Sequence, residues 1–377
     1  FDLSKIFVGL VTGFIACWAV FEKERIVFPR FFNYFVLFIL LHTLITYGFL
    51  FRKEFVFGFE GQTVLSDGFM RQQEAAGIIV LRRFLLVLFG YALASIMKNR
   101  RHFSCLFAGY GAGLTAVLFL GGYRLIDAGL NEARVSGGFL DPNAFGFAGM
   151  TALFLGAAAI LRNDLGRLAR ISAAVFTLTG CVVILESGCR GVMIGSLAGL
   201  FWMLYHIPGL RTKFWVAAGV LLLAIAVVNI APRDFPDMVR KRFDYERIKE
   251  DGGAGRTFIW KDYLKKFPDY SVAGAGMARA MKVTQYSWSY RWAETHNNYL
   301  GMWVEFGVVG AVLFLAGLYQ IGKRIALRRV FETQPLFGIT LQGLFAAWLV
   351  MSLFIDSFAQ RESWIILGLI GSYGRLF

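Results

Sequence analysis

Long apolar runs, separated by short basic or polar stretches, organise this chain. A helix that crosses a bilayer needs about 20 mostly apolar residues. Runs approaching or reaching that length occupy 3–21, 31–51, 75–97, 103–122, 143–161, 171–185, 192–206, 214–230, 299–321, 336–355 and 364–376. They predict eleven transmembrane helices. One stretch breaks the alternation. Residues 232–298 form a 67-residue polar segment with 13 Lys/Arg and 9 Asp/Glu. A connection of that length in a compact protein is usually functional or has structure of its own. Within it, KRFDYERIKE (241–250) and RTFIWKDYLKKF (256–267) have the periodicity of short amphipathic helices. The pattern predicts an all-α polytopic membrane protein in three parts: 1–231 with eight helices, the large loop 232–298, and 299–377 with three more.

Composition agrees and excludes other classes. Of 377 residues, 57% are hydrophobic and 17% charged, and mean hydropathy is +0.58, outside the range of a soluble domain. The 39 Phe and 9 Trp suit lipid and interfacial contact. The net charge of +14 reads as topogenic rather than as a nucleic-acid footprint. Five connections, 22–30, 98–102, 162–170, 207–213 and 322–329, hold fifteen Lys/Arg against three Asp/Glu and alternate with the rest. The positive-inside rule makes them cytoplasmic. The connections 52–74, 123–142, 186–191, 232–298 and 356–363 are then outside. On this parity the run 3–21 enters from outside, which predicts a further helix ahead of Phe1 and twelve in all. Cys17, Cys105, Cys181 and Cys189 are too scattered for a disulfide framework or a zinc site.

The chemistry-bearing residues are few. The chain has no Walker A loop, dinucleotide fingerprint, HExxH or GxSxG motif. Of four histidines, only His296 falls on the outer side, in THNNYLGMWVEFG where the large loop meets a helix. Histidine is the natural general base near neutral pH, and the plainer reading is an interfacial residue bonded to a helix start. Arg82, Arg83, Arg134, Arg190 and Arg256 lie toward the outer side, close to apolar runs. Guanidinium groups suit bidentate phosphate binding, so the set suggests an anionic ligand anchored in lipid, such as a lipid-linked diphosphate. The plainer reading of each is a snorkelling or ion-paired residue, with Asp127, Glu132, Glu186 or Glu294 as partners. Gly274 and Gly276 in VAGAGMARA mark a turn, one that either approaches phosphate or only reverses the chain. Trp288, Tyr290 and Trp292 read as an interfacial aromatic belt or as sugar-stacking rings. Glu305, in an apolar run, demands a hydrogen-bond partner. A helix already running at His296 would put the two on opposite faces.

Taken in order, these elements resemble the O-antigen ligase and O-antigen polymerase superfamily of bacterial membrane glycosyltransferases. ARVSGGFLDPNAFG (133–146) is similar to its R-x-x-G-x-F-x-x-P-N element, and ESGCRG (186–191) to its S-R-G turn, here with Gly188 and Cys189 inserted. GRTFIWKDYLKKFPDYSVAGAG (255–276) resembles the start and G-x-G end of its large loop. THNNYLGMWVEFGVVG (295–310) resembles its H-N-x-x-L-x-x-x-x-E-x-G signature. The resemblance spans roughly residues 70–330.

The resemblance implies a GT-C-type membrane fold in the bacterial inner membrane, with its active site facing the periplasm. The reaction it implies moves a glycan from undecaprenyl diphosphate to an acceptor hydroxyl, which in a ligase belongs to the lipid A–core. It implies a catalytic role for His296 and diphosphate binding by Arg190 and Arg256; from their place on the outer side, Arg82 and Arg83 are expected to bind the diphosphate as well. Arg134, Asn143, Asn297, Gly274, Gly276 and Glu305 are expected to shape the site. A preactivated donor needs a base and cations for the leaving diphosphate, not a nucleotide, so no cofactor or metal is expected and inversion follows from in-line attack. Three other readings stay open: a polysaccharide polymerase, a protein O-oligosaccharyltransferase, and a lipid-glycan flippase without chemistry. The last is disfavoured by the lack of repeated halves.

Overall fold

The computed structural model describes residues 28–47, 59–64, 70–74, 76–97, 100–127, 142–161, 166–209, 249, 255–283, 294–326 and 335–376. Among these, the apolar runs become helices: α1 (Arg30–Ile45), α2 (Ala76–Ile96), α3 (Arg100–Asp127), α4 (Pro142–Ile160), α5 (Arg167–Glu186) and α6 (Arg190–His206). The large loop contributes α7 (Arg256–Lys265), α8 (Phe267–Tyr270) and α9 (Ala280–Val283), and the last helices are α10 (Asn298–Ala326), α11 (Pro335–Met351) and α12 (Arg361–Leu376). Nine of the eleven expected spans are matched; 3–21 and 214–230 lie outside the described residues, as does the expected helix over 241–250 apart from Lys249. Four helices, α2, α4, α5 and α10, contain windows long and apolar enough to cross a membrane, while α1 and α11 are shorter apolar helices. The protein is therefore an all-α polytopic membrane protein. One small departure from the expected loops is a two-stranded antiparallel hairpin, β1 (Phe59–Val64) with β2 (Met70–Glu74), inside 52–74.

Local sequence sets several ends. Pro142 and Pro335 open α4 and α11, where a missing N–H costs nothing and φ is already helical. Gly255, at φ 79°, turns the chain into α7.

Contacts group the chain into two compact units, residues 1–96 with 255–321, and residues 97–254 with 322–377. In the first unit, α1 lies against α10 through Phe35, whose ring centroid is 5.3 Å from that of Phe314. Tyr91 on α2 donates to Asn33 Oδ1 on α1 at 2.5 Å. The loop helices gather around Ile259, Tyr263, Tyr270, Ala280 and Val304.

The second unit is held by small residues, as expected where lipid removes the hydrophobic drive between helices. A Cβ on Gly180 of α5 would lie 2.6 Å from Leu153 N of α4. A Cβ on Gly195 of α6 would lie 2.6 Å from Ala347 O of α11. The opposite face of α6 carries Leu197, Phe201 and Tyr205, all exposed and four residues apart, as a lipid-facing stripe requires.

Candidate functional site

His296 stands at the entry to α10 with φ 47°, a left-handed conformation uncommon for a residue with a side chain. Its neighbours hold it there. Asn297 caps α10: its Oδ1 accepts from Tyr299 N at 2.9 Å and Leu300 N at 3.0 Å, two amides that the first helical turn leaves without partners. On the other side, Thr295 is buried, and its hydroxyl donates to Asn297 O at 3.0 Å. The helix therefore starts after His296, and the opposite-face argument against Glu305 does not apply. The half-buried imidazole projects from a backbone fixed on both flanks.

Arg256 is the first residue of α7. One turn later, Trp260 Nε1 donates to Thr295 O at 2.8 Å, which ties the start of that helix to the His296 loop. Tyr270, in the same loop core, donates its hydroxyl to Tyr263 O at 2.6 Å. Burial pushes the Tyr270 phenol up to about 12, and the adjacent Asp269 charge adds to the rise. It is a neutral donor at ordinary pH, not a base.

Gly274 and Gly276 lie in an irregular loop segment that packs against a broken helix. At Gly307, φ 66° and ψ −171° interrupt α10. The carbonyls freed by the break are taken up by the loop: Ala275 N donates to Val304 O at 2.7 Å, and Gly276 N to Glu305 O at 2.9 Å. Gly274 N donates to Tyr270 O at 2.9 Å. These amides are engaged within the protein, so the glycines shape the backbone and do not cradle a ligand with those N–H groups. Both are at positive φ, 78° and 100°.

Glu305, 3% exposed, has the partner its burial demands. Its Oε1 accepts from Ala278 N at 3.0 Å, and its Oε2 pairs with Arg83 Nη1. Sequence reasoning offered four other carboxylates as partners for the arginines and missed this one, because α2 and α10 are more than two hundred residues apart. A carboxylate and an arginine each stranded in an apolar run was the available signal. Arg82 is half-buried beside it on α2.

In the second unit, Arg190 is the first residue of α6, after a tight turn. Ser187, fully buried, donates to Ile184 O at 2.7 Å and accepts from Cys189 N at 3.2 Å, while Gly188 takes φ 57°. The two residues inserted relative to the expected S-R-G spacing thus form the turn itself. Asn143 is buried in the first turn of α4. Arg134 lies outside the described residues, as do Trp288, Tyr290 and Trp292. A buried carboxylate went unnoticed in the sequence: Glu362, at the start of α12, accepts from Arg361 Nε at 2.9 Å.

Residues 173–315 match the family described as O-antigen ligase. The match supports the superfamily resemblance drawn from the motifs. It takes in Arg190, Arg256, Gly274, Gly276, His296, Asn297 and Glu305, and leaves out Arg82, Arg83, Arg134 and Asn143. Members of the O-antigen ligase family are glycosyltransferase-like membrane enzymes. No curated protein matches the chain.

Proposed function

We propose that the protein is an O-antigen ligase-type glycosyltransferase that moves a glycan from undecaprenyl diphosphate to a sugar hydroxyl of the lipid A–core. In this reading it works in the bacterial inner membrane with its active site toward the periplasm. The observation that carries the proposal is the fixed loop around His296, bonded through Thr295 and Trp260 to the helix that Arg256 opens.

In the reaction, the His296 imidazole takes the proton of the acceptor hydroxyl. The acceptor oxygen bonds to the anomeric carbon as the bond from that carbon to the diphosphate oxygen breaks. The electron pair leaves on undecaprenyl diphosphate, and in-line attack inverts the centre. Arg190 and Arg256 offset the developing diphosphate charge, a role that needs no metal. Each is the first residue of a helix without a side-chain cap bond, and the N-terminal end of a helix favours an anion. Arg82 and Arg83 lie inside α2, where Arg83 faces the Glu305 carboxylate, and Arg82 remains a candidate diphosphate ligand beside it.

The test is transfer from a lipid-linked glycan by purified protein in chelator. His296→Ala should lower kcat by about 10²-fold or more, the scale of general-base catalysis. Arg190→Ala and Arg256→Ala should each lower kcat/KM roughly tenfold to a hundredfold, as for loss of one charge-assisted hydrogen bond. Full transfer by His296→Ala removes the base assignment, and loss of activity in chelator removes metal independence. Single-repeat lipopolysaccharide after gene deletion points to a polymerase. Unattached long chains support the ligase, and movement of the lipid-linked glycan with no new glycosidic bond favours a flippase.

A further inference from the structure

From the geometry of the first unit, we infer that Arg83 and Glu305 form a positioning pair that anchors the His296-bearing loop module to the membrane helices. The inference rests on the transferase reading for its kinetic consequence but not for its structural one.

The loop segment 271–279 and the first part of α10 form one hydrogen-bonded body. Val308 N donates to Ser271 O at 2.9 Å, Trp303 Nε1 donates to the same carbonyl at 2.9 Å, and Ala275 and Gly276 cap the freed carbonyls of Val304 and Glu305. That body also carries His296, because Asn297 caps the same helix segment, and it carries Arg256 through Trp260. Its covalent tie to the membrane span of α10 passes through the break at Gly307, a single glycine in a left-handed conformation, with the Val308–Ser271 bond just beyond the break.

Three side chains reach into it: His42 on α1, Tyr47 just after α1, and Arg83 on α2. His42 Nε2–H donates to Ala273 O at 2.7 Å, and the Tyr47 hydroxyl donates to Met277 O at 2.5 Å. Arg83 supplies the only one of these three ties that is ionic. Its carboxylate partner does two jobs: Glu305 Oε2 holds Arg83, while Oε1 holds the Ala278 amide in a residue at φ 62°. A buried carboxylate deprived of its cation must protonate or seek water, and either change loosens its grip on Ala278. The pair therefore sets the height and orientation of the His296 module against α2.

The experiment uses the full chain in lipid nanodiscs, with two readouts. The first is amide hydrogen exchange of 271–279, which does not depend on catalysis. The second is transfer kinetics with the lipid-linked donor. Arg83→Ala and Glu305→Gln should each speed exchange across 271–279 about tenfold or more, and each should lower kcat by a similar factor with donor KM within about twofold. Because the two residues act as one, R83Q/E305Q should lie closer to wild type than either single neutralisation, and Arg83→Lys should recover most of both readouts. If Arg83→Ala fails to fold, R83Q/E305Q and Arg83→Lys still decide the matter.

Unchanged exchange in Arg83→Ala overturns the anchor. A rise in donor KM with kcat retained overturns it too, and makes Arg83 a diphosphate ligand. Additive losses in the double variant exclude a coupled pair. If His296→Ala keeps full activity, the base assignment falls, and the exchange readout still tests the anchor separately.

Discussion

Gly307→Ala attacks the break in α10 directly. At φ 66° and ψ −171° the residue sits in a region that is essentially restricted to glycine, and holding alanine there costs about 1–3 kcal/mol. The added methyl has nowhere to go: its carbon would lie 2.6 Å from Val272 C and 2.8 Å from Gly274 N, and closer still to Val272 O. These are backbone atoms that cannot rotate away, so overlap adds about 1–3 kcal/mol. The total is about 2–6 kcal/mol, concentrated where Val308 N bonds Ser271 O and Ala275 N bonds Val304 O. Even at the lower end, these amides should exchange with solvent roughly thirtyfold faster, taking 1.4 kcal/mol per factor of ten. The assay is hydrogen exchange by mass spectrometry on the membrane-embedded protein, with peptides from α4 as the unperturbed control. Exchange within threefold of wild type across 271–276 would mean that α10 tolerates a side chain at the break, contrary to this expectation. Gly274 faces the same approach from the other side, with its missing Cβ 2.6 Å from Gly307 N. Substituting both glycines should therefore cost less than the sum of the single changes.

Other consequences follow from single contacts. Asn297→Ala removes the cap from Tyr299 N and Leu300 N and should destabilise the start of α10 by about 1 kcal/mol, with a larger loss in kcat than in thermal midpoint because His296 is adjacent. Asn297→Ser should recover most of it. Trp260→Phe keeps the ring but deletes the bond to Thr295 O, leaving a buried carbonyl short of a donor; about 1–3 kcal/mol of local stability should go, read as faster exchange at 295–300. Gly195→Leu, which forces α6 away from Ala347 O and Met351 on α11, should lower the thermal midpoint of the purified protein, whereas Leu197→Ala on the lipid side should barely move it.

Much of the architecture was legible before any fold was seen. The apolar runs at 75–97, 143–161 and 299–321 became α2, α4 and α10 with ends shifted by only a few residues, because the bilayer imposes a length and a polarity that a linear pattern records. RTFIWKDYLKKF became α7 for the same kind of reason, its periodicity being local. His296 could be singled out by position alone. The conformation that makes it notable could not, since φ 47° follows from the Asn297 cap and the Thr295 contact together. The β1–β2 hairpin escaped notice because MRQQE and FEGQTV lack a clear two-residue alternation.

From the amino-acid pattern alone it follows that this is a polytopic membrane protein, where its apolar runs lie, and which few polar residues stand out against them. The pattern also determined that Glu305 and Arg83 each needed a partner, because charge at membrane depth is unfavourable unless compensated. That they answer each other is visible only in the fold. The pairing joins helices far apart in sequence, and it occurs where Gly307 breaks α10 and turns two backbone carbonyls toward the Gly274–Gly276 segment. Helix propensity and hydropathy are summed along the chain, so they locate elements. A broken helix is completed by atoms from another segment, and that information exists only once the segments have met.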